Sequence, residues 1–129
     1  MSDRIRVFLG SDNYGADFPE LEVLRKKSEK EGFHGYRNNI SLEEDFGRFK
    51  MPGKKATVRG GYAGYCVAHT VDYLLDVDVD EVEVDLPNCR CSEDDKGVSR
   101  DAIERRKTDV ILGMEIGHRT DKRVRFIEQ

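Results

Sequence analysis

The sequence predicts an α/β fold, a Rossmann-like layered arrangement in which helices cover a mixed or parallel sheet of about four to six strands. Short runs with period-two alternation are separated by longer amphipathic segments, and strand and helix alternate three times along the chain. A glycine-rich turn at residues 60–65 joins one strand directly to a helix. Because 129 residues are enough for one hydrophobic core and too few for two, we expect a single α/β domain over residues 1–129.

The first third of the chain contains one strand and one helix by these criteria. Residues 4–9 alternate as a strand, and residues 10–15 form a turn cluster of Gly, Ser, Asp, Asn and Tyr. Asp17 is placed to cap the next helix, and Gly32 follows the end of that helix. Residues 33–55 carry several glycines and a proline, and we expect them to be irregular.

The middle of the chain gives the clearest strand–helix–strand unit. Residues 56–59 are predicted to be a short strand, and the helix after the glycine turn has one apolar face, formed by Val67, Val71, Leu74 and Leu75. Residues 81–86 alternate with period two. This alternation predicts a strand with its apolar residues Val82, Val84 and Leu86 inward and its acidic residues Glu81, Glu83 and Asp85 in water.

The last third of the chain predicts a helix and two strands. The helix covers residues 99–107, a short strand covers residues 110–112, and a final strand covers residues 123–127. The alternating final strand would offer an edge that a second copy of the chain can extend, so a homo-oligomer is an expectation.

The charge and hydropathy of the chain bear on its partners and location. The net charge is −4, and the basic runs at residues 50–59 and 119–125 lack the aromatic residues that stack on bases, so we expect no nucleic-acid partner. No stretch approaches the roughly 20 apolar residues of a spanning helix, and no signal peptide begins the sequence. We therefore expect a cytoplasmic protein with no membrane partner.

The three cysteines do not describe a disulfide framework or a metal centre. Their odd count without a secretory signal fits a reducing compartment. Cys89 and Cys91 are closer together than the thiol pairs of zinc sites, and the three histidines, His34, His69 and His118, are isolated in the sequence. The sequence therefore predicts no metal site and no cofactor.

Cys66 is the residue that the sequence most strongly singles out for chemistry, because it lies where the glycine turn becomes a helix. A thiol at a helix start meets unpaired backbone N–H groups and the positive end of the helix dipole, both of which favour the nucleophilic thiolate. A lone cysteine after a strand is also commonly a small buried hydrophobic residue. Both interpretations of Cys66 stay open at this point.

The segment around Cys66 also carries a family resemblance. The glycine turn leads into Tyr65, Cys66 and Val67, with Thr70 four residues after the cysteine, and the next strand ends in an acid. This pattern resembles the second half of the isochorismatase-like cysteine hydrolases, the superfamily that includes the nicotinamidases, in which a turn of the form G-x-A-T-D-x-C-V precedes a helix. The match covers roughly residues 56–112, and the chain is truncated relative to that family.

The resemblance implies a Rossmann-like three-layer fold and a Cys-Asp-Lys hydrolase acting on a small amide or a related small molecule. Cys66 would be the nucleophile, and backbone N–H groups of the turn at Gly64 and Tyr65 would hold the oxyanion. Asp12, after the first strand, would be the carboxylate. Lys54 is the candidate lysine, and its neighbours Lys50 and Lys55 are alternatives from the same stretch.

Two other hypotheses stay open because the turn here lacks the T-D pair of the family and the chain is short. The first is a catalytically inactive α/β module that binds a small molecule or a protein partner. The second is a phosphosugar-handling protein, because residues 7–12 resemble the opening of the sugar-phosphate isomerases of the ribose-5-phosphate B type.

Overall fold

The computed structural model describes residues 4–10, 19–91 and 98–129. Within them the strands are β1 (Arg4–Leu9), β2 (His34–Tyr36), β3 (Lys55–Gly60), β4 (Glu81–Asp85) and β5 (Val124–Ile127). The α-helices are α1 (Pro19–Lys30), α2 (Asn39–Phe46), α3 (Ala68–Asp76) and α4 (Arg100–Gly113). A π-helical turn, Ala63–Val67, leads into α3. The predicted cap Asp17 and most of the predicted turn at residues 10–15 lie outside the described residues.

The strands form one five-stranded, all-parallel sheet in the order β2-β1-β3-β4-β5, which confirms the predicted Rossmann-like α/β class. The chain runs from β1 outward to β2 and then returns past β1 to β3, so the strand order reverses between β1 and β3. In open parallel sheets such a reversal leaves a crevice at the carboxyl ends of the two strands. Leu9 and Gly60 are register partners there.

One face of the sheet carries the main hydrophobic core. Alternate residues of the three central strands point to this face, among them Val7 and Leu9 of β1 and Val58 of β3. They pack against apolar residues of α2, α3 and α4, including Leu42, Val71, Leu74, Ile103 and Val110. The predicted apolar face of the helix after the glycine turn is therefore confirmed.

The other face carries a small apolar cluster under α1 and a larger charged area. Phe8 packs with Phe33 and Leu24 beneath α1. On the charged area, Glu83 and Asp85 are only 7% and 5% exposed. The prediction that these two acidic residues lie in water is wrong, because arginines from neighbouring strands cover them.

Each buried carboxylate on this face has arginine partners, which is how charged side chains are accommodated inside a parallel sheet. Glu83 forms ion pairs with Arg4 and Arg125. Asp85 accepts a hydrogen bond from Arg59 Nε at 2.9 Å. Arg59 also lies 4.1 Å above the Phe33 ring, and its Nη1 donates to Ser28 Oγ of α1 at 3.1 Å, so one side chain links the sheet to α1.

The segment 33–55, predicted to be irregular, contains β2 and α2. The strand β2 is short and lies at the sheet edge, so it lacks a long alternating pattern. The helix α2 begins after Asn38, whose side chain accepts the Ser41 N–H, and Leu42 is its fully buried residue. One buried position in eight residues leaves little helical periodicity to detect in the sequence.

The predicted strand at residues 110–112 is wrong, because these residues belong to α4. The predicted start of this helix is confirmed, since Ser99 caps it by accepting the Ala102 N–H, but the helix runs on to Gly113 rather than ending at residue 107. Ile103, Arg106 and Val110 are buried along one helical face. The β-branched pair at residues 110 and 111 therefore continues that face instead of starting a strand.

The end of α4 lies unusually close to the π turn and α3, and Gly113 permits this contact. A Cβ atom at Gly113 would lie 2.5 Å from the Gly64 carbonyl oxygen and 2.8 Å from the Ala68 Cβ. One neighbour is a backbone atom and the other is a Cβ, so neither can be moved by a side-chain rotation. The absence of a side chain at this position therefore sets the distance between the two helices.

We expect Gly113→Ala to destabilise the protein by about 2 kcal/mol, because overpacking outweighs the better helix propensity of alanine. Urea unfolding at neutral pH measures the change. Gly117→Ala is the matched control, since a Cβ there would have no atom within 4 Å. Equal effects of the two substitutions would contradict the packing argument.

We expect Glu83→Gln to cost about 2 kcal/mol at neutral pH, because it removes the charge that Arg4 and Arg125 share. Burial alone raises the pKa of Glu83, but the two arginines outweigh it and the net pKa is lowered. The Glu83 contribution is thus present above the ordinary glutamate pKa and lost as pH falls through the lower folded pKa. Thermal unfolding from pH 7 to pH 3 should show the difference between wild type and variant shrinking with acid.

The control for this prediction is Glu104→Gln, which breaks an exposed pair with Arg100 and should change stability by less than about 0.5 kcal/mol. The stability difference between wild type and Glu83→Gln should not stay constant across the acid range. A constant difference would show that the Glu83 charge does not supply the stabilisation.

Candidate functional site

Cys66 lies in the π turn between β3 and α3, at the strand-to-helix corner that the sequence predicts. Its side chain is half-buried and packs at the margin of the main core. Gly60 and Gly61 both have positive φ, and a Cβ at Gly61 would lie 3.0 Å from Leu9 Cβ and 3.5 Å from Cys66 Cβ. Cys66 therefore lies near the end of β1, at the point where the strand order reverses.

The lysines that the sequence offers as partners of Cys66 lie toward the opposite end of the sheet. Lys54 is exposed and immediately precedes β3, whose six residues separate it from the glycine turn by about 20 Å. The Nζ of Lys50 donates to the Asp76 carbonyl oxygen at 2.6 Å, at the far end of α3 and about 15 Å from Cys66. The structure does not bring either lysine to the thiol.

Two N–H groups of the turn before Cys66 already have hydrogen-bond partners. The Ala63 N–H donates to the Arg90 carbonyl oxygen at 2.6 Å, and the Tyr65 N–H donates to the Tyr62 carbonyl oxygen at 3.1 Å. The side chain of Tyr65 is largely exposed, and Gly64 packs against Asp109 of α4. Of the two predicted oxyanion residues, Tyr65 therefore has its amide already hydrogen-bonded.

Asp12, the predicted carboxylate, lies outside the described residues. It is three residues beyond Leu9, the last residue of β1, and Leu9 is the register partner of Gly60. The pairing of Asp12 with Cys66 therefore stays a prediction.

A second candidate site is a cavity of about 840 Å³ between α2 and α3. One face of α3 lines it with His69, Asp72, Tyr73 and Asp76, which are spaced as i, i+3, i+4 and i+7. The acidic lining residues are Glu43, Glu44, Asp72, Asp76 and Glu115, and the basic ones are Arg48 and Lys50. The excess of carboxylates favours a positively charged ligand.

Three side chains of types that can bind metals lie close together, and two of them, Asp76 and Glu115, line this cavity. Oxygen atoms of Asp76 and Glu115 and a ring nitrogen of His118 all lie within 4.8 Å of one another. The His118 Nε2 is 2.8 Å from Asp76 Oδ1. Asp76 is the last residue of α3, whereas Glu115 and His118 follow α4, so the cluster depends on how α4 ends against α3.

Asp72, one turn before Asp76, is the buried carboxylate of the cavity. Its side chain accepts the Glu115 N–H at 2.8 Å through Oδ2, while Oδ1 has no hydrogen-bond partner among the described residues. Burial raises the pKa of Asp72, although the hydrogen bond from Glu115 opposes this shift. An unsatisfied buried oxygen of this kind costs about 1–3 kcal/mol, which a positively charged ligand would offset.

The far side of the His118 ring faces Asp121. The distance from His118 Nδ1 to Asp121 Oδ2 is 3.7 Å. Arg123 holds Asp121 as an anion with hydrogen bonds of 3.0 Å and 2.6 Å, and lowers the pKa of that carboxyl to about 2. His118 thus lies between two carboxylates, one for each ring nitrogen.

This cluster is a feature that the sequence analysis missed. The sequence separates Asp76 from Glu115 and His118 by about forty residues, and no motif spacing links them. One weaker signal for a site was present in the sequence, because His69, Asp72 and Asp76 share one face of a predicted helix.

Comparisons with known proteins assign no family to this chain. No protein-family model matches it, and neither the search of curated proteins nor the search of solved structures gives a match. None of the helices in the described ranges is long and apolar enough to cross a membrane. The resemblance to isochorismatase-like hydrolases therefore stays a hypothesis carried by the residues around Cys66.

Proposed function

We propose that this chain is a thiol-dependent hydrolase of small amides or esters, with Cys66 as the nucleophile. The observation that supports the proposal is the position of the Cys66 thiol, half-buried at the strand-to-helix corner beside the reversal of strand order. Ligands of open parallel sheets bind outside the carboxyl ends of the strands at such a reversal.

The reaction proceeds in two steps. The Cys66 sulfur attacks the substrate carbonyl carbon, the thiol proton passes to Asp12, and the amine or alcohol leaves with that proton, which gives a thioester. Water then attacks the thioester, the carboxylic acid leaves, and the thiol is restored. The Cys-Asp-Lys scheme of the resembling family is not retained, because Lys54 and Lys50 lie toward the other end of the sheet.

The alternative function is a binding module without catalytic activity. The position of the two lysines favours this alternative. At about 15 Å or more from Cys66, the charge of an exposed lysine is largely screened by salt and cannot stabilise charge on the thiol. The α2–α3 cavity would then be the ligand site of such a module. The experiments below separate the two functions by whether Cys66 is required for turnover.

We expect iodoacetamide at neutral pH to alkylate Cys66 faster than Cys91. Cys89 should be the slowest of the three, by roughly tenfold or more relative to Cys91. Cys66 and Cys91 are both half-buried, which makes Cys91 the control for exposure. Cys89 is buried, and burial and Asp85 raise the pKa of its thiol. Mass spectrometry of the alkylated peptides measures each rate. Equal rates at Cys66 and Cys91 would remove the argument for an activated thiol.

We expect Cys66→Ala to abolish hydrolysis of 4-nitrophenyl acetate and nicotinamide while leaving the unfolding midpoint nearly unchanged. Asp12→Asn should lower the rate by roughly 100-fold or more, because it removes the general base. Lys54→Ala and Cys91→Ala should have no effect on either substrate. An acetyl group trapped on the Cys66 peptide would identify the thioester.

Full activity in the Cys66→Ala variant would exclude the hydrolase. The absence of turnover on both substrates in the wild-type chain, together with no acetylation of Cys66, would favour the binding module. Strong dependence on Lys54 would contradict the placement of that lysine away from the thiol.

A further inference from the structure

The cluster at the end of α3 has dimensions that suit a single metal ion. Bonds from a divalent transition ion to carboxylate oxygen and imidazole nitrogen are about 2.0–2.2 Å, so ligand atoms around one ion lie roughly 3–4 Å apart. The ligand atoms of Asp76, Glu115 and His118 lie within 4.8 Å of one another. Small side-chain rotations would bring all three onto one ion.

Asp72 is a second, independent feature that favours positive charge beside the cluster. The residue is 5% exposed and lines the same cavity as Asp76 and Glu115. Its Oδ1 has no hydrogen-bond partner among the described residues, although buried carboxylate oxygens are normally paired. Its other oxygen binds the backbone N–H of Glu115, which fixes the carboxylate beside the cluster.

The environment of His118 resembles that of a metal-binding imidazole. A ligating histidine usually presents one ring nitrogen to the ion and the other to a carboxylate. Here Nε2 faces the cluster, 2.8 Å from Asp76 Oδ1, and Nδ1 faces Asp121 at 3.7 Å. Arg123 keeps Asp121 charged and in place through two side-chain hydrogen bonds.

We propose that Asp76, Glu115 and His118 bind one divalent first-row transition cation, with the buried Asp72 carboxylate beside them adding negative charge. An imidazole among carboxylates selects ions such as Zn²⁺ and Mn²⁺ over Ca²⁺ and Mg²⁺, which take oxygen ligands. The proposal does not rest on the hydrolase function, because the site lies about 15 Å from Cys66.

Titration calorimetry of the full chain with Zn²⁺ tests the proposal, with Ca²⁺ as the comparison ion. We expect one Zn²⁺ per chain and at least tenfold weaker binding of Ca²⁺. His118→Ala and Glu115→Gln should each weaken Zn²⁺ binding tenfold or more. Glu115 is exposed, so its variant remains informative even if His118→Ala fails to fold. His69→Ala is the matched control, because His69 lines the same cavity outside the ligand set and should bind as wild type.

Cysteine thiolates also bind Zn²⁺, so the experiment has to distinguish them from the proposed ligands. A Cys66→Ala, Cys91→Ala double variant should bind Zn²⁺ with wild-type affinity. Co²⁺ substituted for Zn²⁺ should give visible d–d bands without the near-ultraviolet band of a cobalt–thiolate bond. Absence of Zn²⁺ binding by the wild-type chain, unchanged affinity in both Glu115→Gln and His118→Ala, or loss of binding in the cysteine variant would each overturn the proposal.

Discussion

The docking of the end of α4 against the π turn and α3 is the contact on which both candidate sites depend. Gly113 lets the helix approach within a distance that a Cβ would block, and Asp72 fixes Glu115, two residues further on, by accepting its N–H. The same contact packs Gly64 against Asp109, which supports the turn that carries Cys66. It also brings Glu115 and His118 to the end of α3, where Asp76 lies.

Helix α3 therefore connects two different kinds of chemistry. A thiol lies just before its start, at the carboxyl edge of the sheet, and a carboxylate–histidine cluster lies at its end. The two are separated by ten residues, or about 15 Å of helix. Each can be removed without touching the other, so the two proposals are independent.

The charged face of the sheet has a separate role: its arginine–carboxylate pairs allow half-polar strands to form a parallel sheet.

The sequence predicted those parts of the fold that local patterns encode. The strand–glycine turn–helix unit around Cys66 and the capped start of α4 follow from short-range patterns, and the structure confirms them. Alternation at residues 81–86 predicted a strand but not the burial of Glu83 and Asp85, because their arginine partners come from other strands. The apolar pair at residues 110 and 111 predicts a strand when it is taken alone, because Ile103 and Arg106, which share the buried helical face with Val110, lie further upstream. The Asp76–Glu115–His118 cluster is a tertiary contact with no local signature.

The central claim is that α3 and the segment after α4 together form a cation site distinct from the thiol. A crystal structure of the full chain soaked with Zn²⁺, with diffraction measured on both sides of the zinc absorption edge, tests this claim most directly. The claim predicts one anomalous peak within about 2.0–2.2 Å of His118 Nε2 and of carboxylate oxygens of Asp76 and Glu115. A peak at Cys66 or Cys91 alone, or no peak at His118, would contradict it.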